Sequence, residues 1–202
     1  MKKMKQRLAG LLLAAMMAVS LSACSSGGTA PVLTVAGKEV TLGDTGASVF
    51  PLTEFEMEIP GEGIPLDKMP GKSWLSTFMT LKKDSSSYAY LYVYNPGRDE
   101  VLATSATIYK ISFHMHSEDE EASYWAEDNV LVNGVNYFGM DAEAIKETMT
   151  EYKALSEESD YLAYRDGKYV YSFNLDESGI VEEIEVEMDI DKSYSSSAWK
   201  IC

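Results

Sequence analysis

Two stretches of the sequence alternate between two kinds of side chain, which is the period of a β-strand with one buried face. In residues 88–94 tyrosines alternate with small aliphatic residues, and within residues 180–190 apolar residues alternate with carboxylates from position 183 onward. Residues 168–173 precede the second stretch, separated from it by turn-forming residues 176–179. This order predicts an antiparallel hairpin with one buried and one acidic face.

Helical spacing is found mainly in the second half of the chain. Asp141 can cap a helix there, and the inward face of this helix would consist of Ile145, Thr148, Met149, Tyr152 and Leu155. In the first half, Gly46 and Pro51 leave at most a short, broken helix before the strands predicted at residues 88–94 and 103–115.

Two segments about 97 residues apart share a short phrase. Val35-Ala36-Gly37 precedes Leu42-Gly43-Asp44, and Val132-Asn133-Gly134 precedes Phe138-Gly139-Met140. We therefore predict an α+β protein of two related repeats, each a short helix packed on an antiparallel β-meander. The first repeat would span residues 32–120 with an insert at 60–83, and the second would span residues 121–202 with a polar tail.

The first 23 residues have the composition of an export signal. Four basic residues and no acidic residue precede an apolar run over residues 8–19, which is short for a spanning helix of roughly 20 apolar residues. Leu21-Ser22-Ala23-Cys24 then resembles the lipobox of bacterial lipoproteins. The resemblance implies cleavage before Cys24, lipid on its sulfur, and anchoring on the extracytoplasmic side of a membrane. Residues 24–31 would form a flexible tether.

The predicted order of elements, given twice behind a lipobox, resembles the tandem α/β repeats of β-lactamase-inhibitor-like proteins and related outer-membrane-assembly lipoproteins. The resemblance covers residues 32–190, and Leu42-Gly43 and Phe138-Gly139-Met140 match the family's glycine phrase at the start of the helix. The broken first helix and the insert depart from the pattern. The family pattern implies a helical layer on one sheet face, while the other face or its loops meet a protein partner.

The acidic charge narrows the classes of partner. The chain carries 17 Lys+Arg and 32 Asp+Glu, and removal of residues 1–23 takes away four basic residues and no acidic one. The mature chain therefore has 13 basic against 32 acidic residues, a net charge of −19. Such a protein repels nucleic acid and attracts a basic protein or peptide. A purely solubilising role of the acidic surface is the alternative.

The tyrosines of the first alternating stretch are the main candidates for partner binding. On a strand Tyr88, Tyr90, Tyr92 and Tyr94 share one face. If the aliphatic residues between them enter the core, the phenols face outward, where tyrosine offers a large contact area and a polar tip. The alternative is that the rings pack beneath the insert or against neighbouring strands.

Patterns for catalysis or metal binding are sparse. His114 and His116 can share one strand face, but no cysteine or third histidine completes a closed metal site. We therefore predict no metal, no cofactor and no enzymatic activity. Two alternatives stay open: a lipoprotein that binds a metal or small ligand, and a hydrolase that uses His114 as base with a distant serine. With lipid on Cys24, Cys202 would be a free thiol.

Overall fold

Both alternating stretches form strands in the computed structural model. The structure describes residues 28–61, 68–84, 86–114, 130–190, 193 and 195–197. The predicted signal segment, Cys24, His116 and Cys202 lie outside these residues. The described elements are β1 Val32–Val35, β2 Lys38–Thr41, α1 Gly46–Val49, β3 Glu56–Glu58, β4 Lys68–Met69, β5 Ser73–Leu75, β6 Met79–Lys83, β7 Ser86–Asn95, β8 Val101–Leu102, a 3₁₀ turn Ala103–Ser105, β9 Thr107–His114, β10 Val130–Val132, α2 Ala142–Thr148, β11 Lys153–Glu157, β12 Tyr161–Asp166, β13 Tyr169–Leu175, β14 Val181–Met188 and β15 Ser195–Ser197.

Most strands belong to one large sheet, called the main sheet below. Its order is β11-β12-β13-β14-β9-β7, and the far edge of β7 is shared by β6 and β5 because β7 is ten residues long. Beyond these lie β3, paired with β6, and β15, paired with β5. Among the described strand pairs only β15 with β5 is parallel. The pairing of β9 with β14 joins the strands of the two halves of the chain.

One face of the main sheet, the inner face, supplies much of the hydrophobic core. Its fully buried side chains include Ala89, Leu91, Val93, Ile111, Phe113, Tyr171, Phe173, Ile184 and Val186. A three-stranded sheet of order β10-β1-β2 contributes Leu33, Val35 and Val132 to the same core, and α2 contributes Ile145. The opposite face is the outer face. Alternation along each strand separates the two faces, as the sequence predicts.

Helix occupies less of the chain than the sequence pattern predicts. The Asp141 carboxylate caps α2 by accepting the Ala144 N–H at 2.9 Å, which confirms the predicted start. However, α2 ends at Thr148, and the expected continuation through Leu155 is wrong. Residues 153–157 pair with β12 instead, and Leu155 sits at an irregularity in that pairing with 45% of its surface exposed. Main-chain pairing has overridden helical periodicity here.

The fold is therefore mainly β, with two short α-helices among the described residues. α1 covers four residues, in line with the short, broken helix predicted for the first half. None of the helices described is long and apolar enough to cross a membrane.

Two predicted boundaries need correction. The strand predicted at residues 103–115 begins only at Thr107, because Ala103–Ser105 form a 3₁₀ turn. The insert predicted at residues 60–83 contains β6, whose buried Met79 and Leu81 make it an integral part of the main sheet.

The hairpin of β13 and β14 is confirmed. Its turn is held by the Asp176 carboxylate, which accepts the N–H groups of Ser178 and Ile180.

The segment expected to be a flexible tether is partly packed on the domain. The Thr29 N–H donates to Asp166 Oδ2 at 3.0 Å, Ala30 lies against the core, and Pro31 is buried. The flexible tether predicted at residues 24–31 therefore does not extend over residues 29–31.

Candidate binding surface on the outer face of the main sheet

The four candidate tyrosines lie side by side on the outer face of β7. Tyr88, Tyr90, Tyr92 and Tyr94 are half-buried, whereas the residues between them are fully buried on the inner face. The alternation therefore places the phenols as predicted, opposite the aliphatic row. We call these four residues the tyrosine row.

Neighbouring aromatic rings support the tyrosine row from the side. Phe78, which lies between β5 and β6, packs on Tyr90 with ring centroids 4.3 Å apart and reaches Tyr92 at 5.9 Å. Tyr109 on β9 makes edge contacts with Tyr92 at 6.4 Å and Tyr94 at 5.9 Å. Both sequence interpretations thus hold in part, because the rings face outward and also pack against residues of the predicted insert and a neighbouring strand.

Lys110 connects the tyrosine row to the carboxylates of β14. Its ammonium lies 4.7 Å from the centroid of the Tyr92 ring and forms an ion pair with Glu185. Burial lowers the pKa of Lys110, but the hydrogen bond and charge of Glu185 outweigh this and raise it overall. Burial also raises the pKa of Tyr92, an effect that the charge of Lys110 opposes. The lysine therefore stays charged and the phenol neutral at physiological pH.

A second polar group surrounds Glu183, where β9 and β14 pair. Glu183 Oε1 accepts the Ser112 hydroxyl and contacts His114 Nε2, each at 2.9 Å, and Oε2 accepts the Asn174 amide at 2.6 Å. Burial raises the pKa of Glu183. The hydrogen bond and the charge of His114 oppose this effect, as do the hydrogen bonds from Ser112 and Asn174, and together they bring the pKa of Glu183 below its usual range. The carboxylate is therefore held ionised by its neighbours.

The arrangement of Ser112, His114 and Glu183 differs from a nucleophile relay. In a relay the serine and the carboxylate use different imidazole nitrogens. Here the Ser112 hydroxyl and the Glu183 carboxylate both contact His114 Nε2, and they also bond each other. Ser112 is also fully buried. This geometry suits a structural hydrogen-bond cluster and gives no support to the hydrolase alternative.

Metal-ligating side chains do not converge in the part of the chain that the structure describes. No group of three or more His, Cys, Asp and Glu residues there could hold a metal ion. His114 instead binds Glu183 and stacks near Tyr90, with ring centroids 4.9 Å apart. His116, the second histidine of the predicted pair, lies outside the described residues.

Sequence reasoning missed several members of this surface. Lys110, Ser112 and His114 alternate with buried Ile111 and Phe113, so their common outward direction was readable from the sequence. Their position between the tyrosine row and β14 was not readable, because it depends on which strands pair. The role of Phe78 likewise depends on the path of the segment before β6.

Comparisons of the chain with protein-family models, curated proteins and solved structures find no match.

Proposed function

We propose that the chain is a lipid-anchored, extracytoplasmic lipoprotein that binds another protein through the outer face of its main sheet. The observation that carries the proposal is the tyrosine row, half-exposed on the outer face while the inner face of the same strand is fully buried. Tyrosine is enriched in protein interfaces and at their energetic centres. Lipid on Cys24 would provide the anchor.

The lateral packing of the tyrosine row favours this role. Phe78 and Tyr109 flank the rings, and Lys110 lies over Tyr92. Side chains that are already ordered lose less conformational entropy when a partner binds, so more of the contact energy appears as affinity. The row is thus a preorganised aromatic surface.

The charges around the row favour a basic partner. Lys110 is paired with Glu185 and His114 with Glu183. Among the described residues Glu187 has no ion pair, although its charge helps raise the pKa of Tyr109 to about 12, after burial as the main cause. A basic side chain of a partner could pair with Glu187 beside the tyrosine row. The mature net charge of −19 would speed the approach of such a partner.

We also propose that the fold arose from two copies of one unit, and its turns support this. Ala36-Gly37 and Asn133-Gly134 each close a two-residue hairpin with positive φ at both positions. Gly43, six residues after Gly37, and Gly139, five residues after Gly134, again have positive φ. The residue before each helix then forms an isolated bridge near the start of β9 or β14: Thr45 pairs with Thr107, the first residue of β9, and Asp141 pairs with Ile180, directly before β14.

The strand order supports the same proposal. Four strands of the first half, β3-β6-β7-β9, meet four of the second, β14-β13-β12-β11, in mirror-image sequence order. Where β9 meets β14, Ile111 pairs with Val186 and Phe113 with Ile184, so the Ser112–Glu185 pair lies at the centre of the arrangement. Such ordering is expected when two copies of one unit pair about an approximate twofold axis.

The binding proposal is tested by capture from the organism's own envelope extract with the mature chain in detergent. Tyr90→Ala and Tyr92→Ala should each weaken capture of the partner by about tenfold or more, since truncating a central interface tyrosine costs roughly 1.4 to 2 kcal/mol or more. Added salt should mainly slow association.

Tyr161→Ala is the matched control, because Tyr161 is a half-buried tyrosine on the same outer face but on β12, where its hydroxyl lies 3.1 Å from Ser172 Oγ. It should leave capture unchanged. If all three variants bind alike and melt like the parent, the tyrosine row is not the partner surface. If Tyr90→Ala and Tyr92→Ala unfold the domain, the row serves folding instead.

A further inference from the structure

The chain enters the domain at one end of the main sheet. The Thr29 N–H donates to the Asp166 carboxylate at 3.0 Å. Gly28 has a φ of +69°, and a Cβ placed there would lie 2.3 Å from the Asp166 carbonyl oxygen. Only glycine therefore fits this close approach. These contacts fix the entry point beside the turn between β12 and β13.

The connection from this point to Cys24 is short. Residues 25–27 lie between Cys24 and Gly28. Four steps of extended chain at up to about 3.6 Å each reach roughly 14 Å. The strands of the main sheet are longer, since the seven residues of β13 span roughly 20 Å. With lipid on Cys24, such a tether would hold the β12–β13 end of the sheet nearest the membrane.

Charge is distributed along the same direction. Lys153, Arg165 and Lys168 lie at the end near the entry point, where Lys153 is opposite Arg165 in the strand pairing. Asp166 and Asp189 also lie at this end, and Asp189 forms an ion pair with Arg165, so these three basic and two acidic residues nearly balance. The turns at the opposite end, residues 158–160 and 176–180, contain four acidic residues and no basic one. An anionic membrane surface therefore repels the far end more than the near end.

From these two observations we infer that the domain sits with the β12–β13 turn against the membrane and the β13–β14 turn pointing away from it. The inference rests on the lipid anchor proposed at Cys24. In this orientation the strands run away from the membrane. The outer face with its tyrosine row is therefore roughly perpendicular to the membrane surface. A partner would meet the row from the side, within the layer next to the lipid.

Energy transfer from the protein to the lipid headgroups tests this orientation. Lys168→Cys and Glu177→Cys, each combined with Cys202→Ser, place one donor dye at either end of β13, and both parent side chains are exposed. The lipidated full chain is reconstituted in vesicles of phosphatidylethanolamine and phosphatidylglycerol that carry an acceptor on a lipid headgroup. With the ends roughly 20 Å apart, transfer from position 168 should exceed that from position 177 by about twofold or more.

A spacer variant provides the control. A Gly/Ser insertion of about twelve residues between positions 27 and 28 adds a root-mean-square reach of roughly 20 Å, so the two transfer efficiencies should converge. Equal or reversed efficiencies in the chain without the spacer overturn the orientation. If the chain carries no acyl mass and does not float with the vesicles, the anchor itself is absent, and the proposed function fails together with the orientation.

Discussion

Two hairpin turns place different residues in the same backbone conformation, with a positive φ. Ala36 in the β1–β2 turn has a φ of 50°, and Asn133 in the turn after β10 has a φ of 51°. Positive φ strains alanine through its Cβ, whereas the short polar side chain of asparagine tolerates it and is favoured in such turns. Asn133 also accepts the Val32 N–H at 2.9 Å, which links its turn to β1.

This difference predicts a stabilising substitution. Ala36→Asn should raise the free energy of unfolding by about 0.5 to 1 kcal/mol, because the new side chain relieves part of the positive-φ strain. Asn133→Ala should lower it by a larger amount, since it adds that strain and removes a hydrogen bond worth about 1 kcal/mol. Urea unfolding of the three proteins measures both changes. A less stable Ala36→Asn protein would contradict this account of the turn.

At the scale of elements, the pairing of β9 with β14 joins the two halves of the main sheet. Its inner face is aliphatic and aromatic, while its outer face pairs basic residues of β9 with carboxylates of β14. Glu183 has three polar partners on this outer face, because it accepts from Ser112 and Asn174 and contacts His114. Its ionised form should therefore stabilise the joint between the halves.

The lowered pKa of Glu183 gives that contribution a pH dependence. A carboxyl group with a lower pKa in the folded state stabilises the fold above its unfolded value, about 4.3, and this stabilisation disappears as pH falls through the folded value. Glu183→Gln should therefore cost about 1 to 2 kcal/mol at pH 7, and the difference from the parent should shrink below pH 4.

Glu182→Gln, on the same strand but exposed, is the matched control for this measurement. It should change stability by less than about 0.5 kcal/mol at pH 7. Urea midpoints collected between pH 3 and pH 7 would show both trends. A Glu183→Gln deficit that stays constant with pH would mean that the carboxylate charge does not stabilise the joint.

At the scale of the whole molecule, anchoring and folding should be separable. The first described contact of the domain is made at Gly28 and Thr29, after the proposed lipid site. Cys24→Ala should therefore move the protein from the membrane fraction to the soluble exported fraction, or leave it uncleaved, without changing the melting temperature of the domain. Cell fractionation and the mass of the N-terminal peptide give the answer. An unmodified N-terminal cysteine in the parent protein would refute the anchor.

Local sequence patterns predicted the strands well where one face of a strand is apolar and the other is polar or tyrosine-rich. The alternation in residues 88–94 and 183–190 identified β7, β14 and the faces that they bury. Asp141 marked the start of α2, and Asp176 with Gly179 marked a real turn. The apolar spacing that continued to Leu155 failed, because β12 offered residues 153–157 a pairing partner that no local pattern reveals.

The sequence alone determined the strand periods, the acidic balance and the placement of the four tyrosines on one strand face, since each depends only on residue order and on strand geometry. Tertiary structure decided which side chains the tyrosines meet. Phe78, Lys110 and Tyr109 are brought to Tyr92 by strand pairing and by the path of the chain before β6. It also decided that Glu183 lies against His114, 69 positions earlier in the sequence. Pairing between distant strands is chosen by the burial of the whole core, and a local sequence pattern does not contain that information.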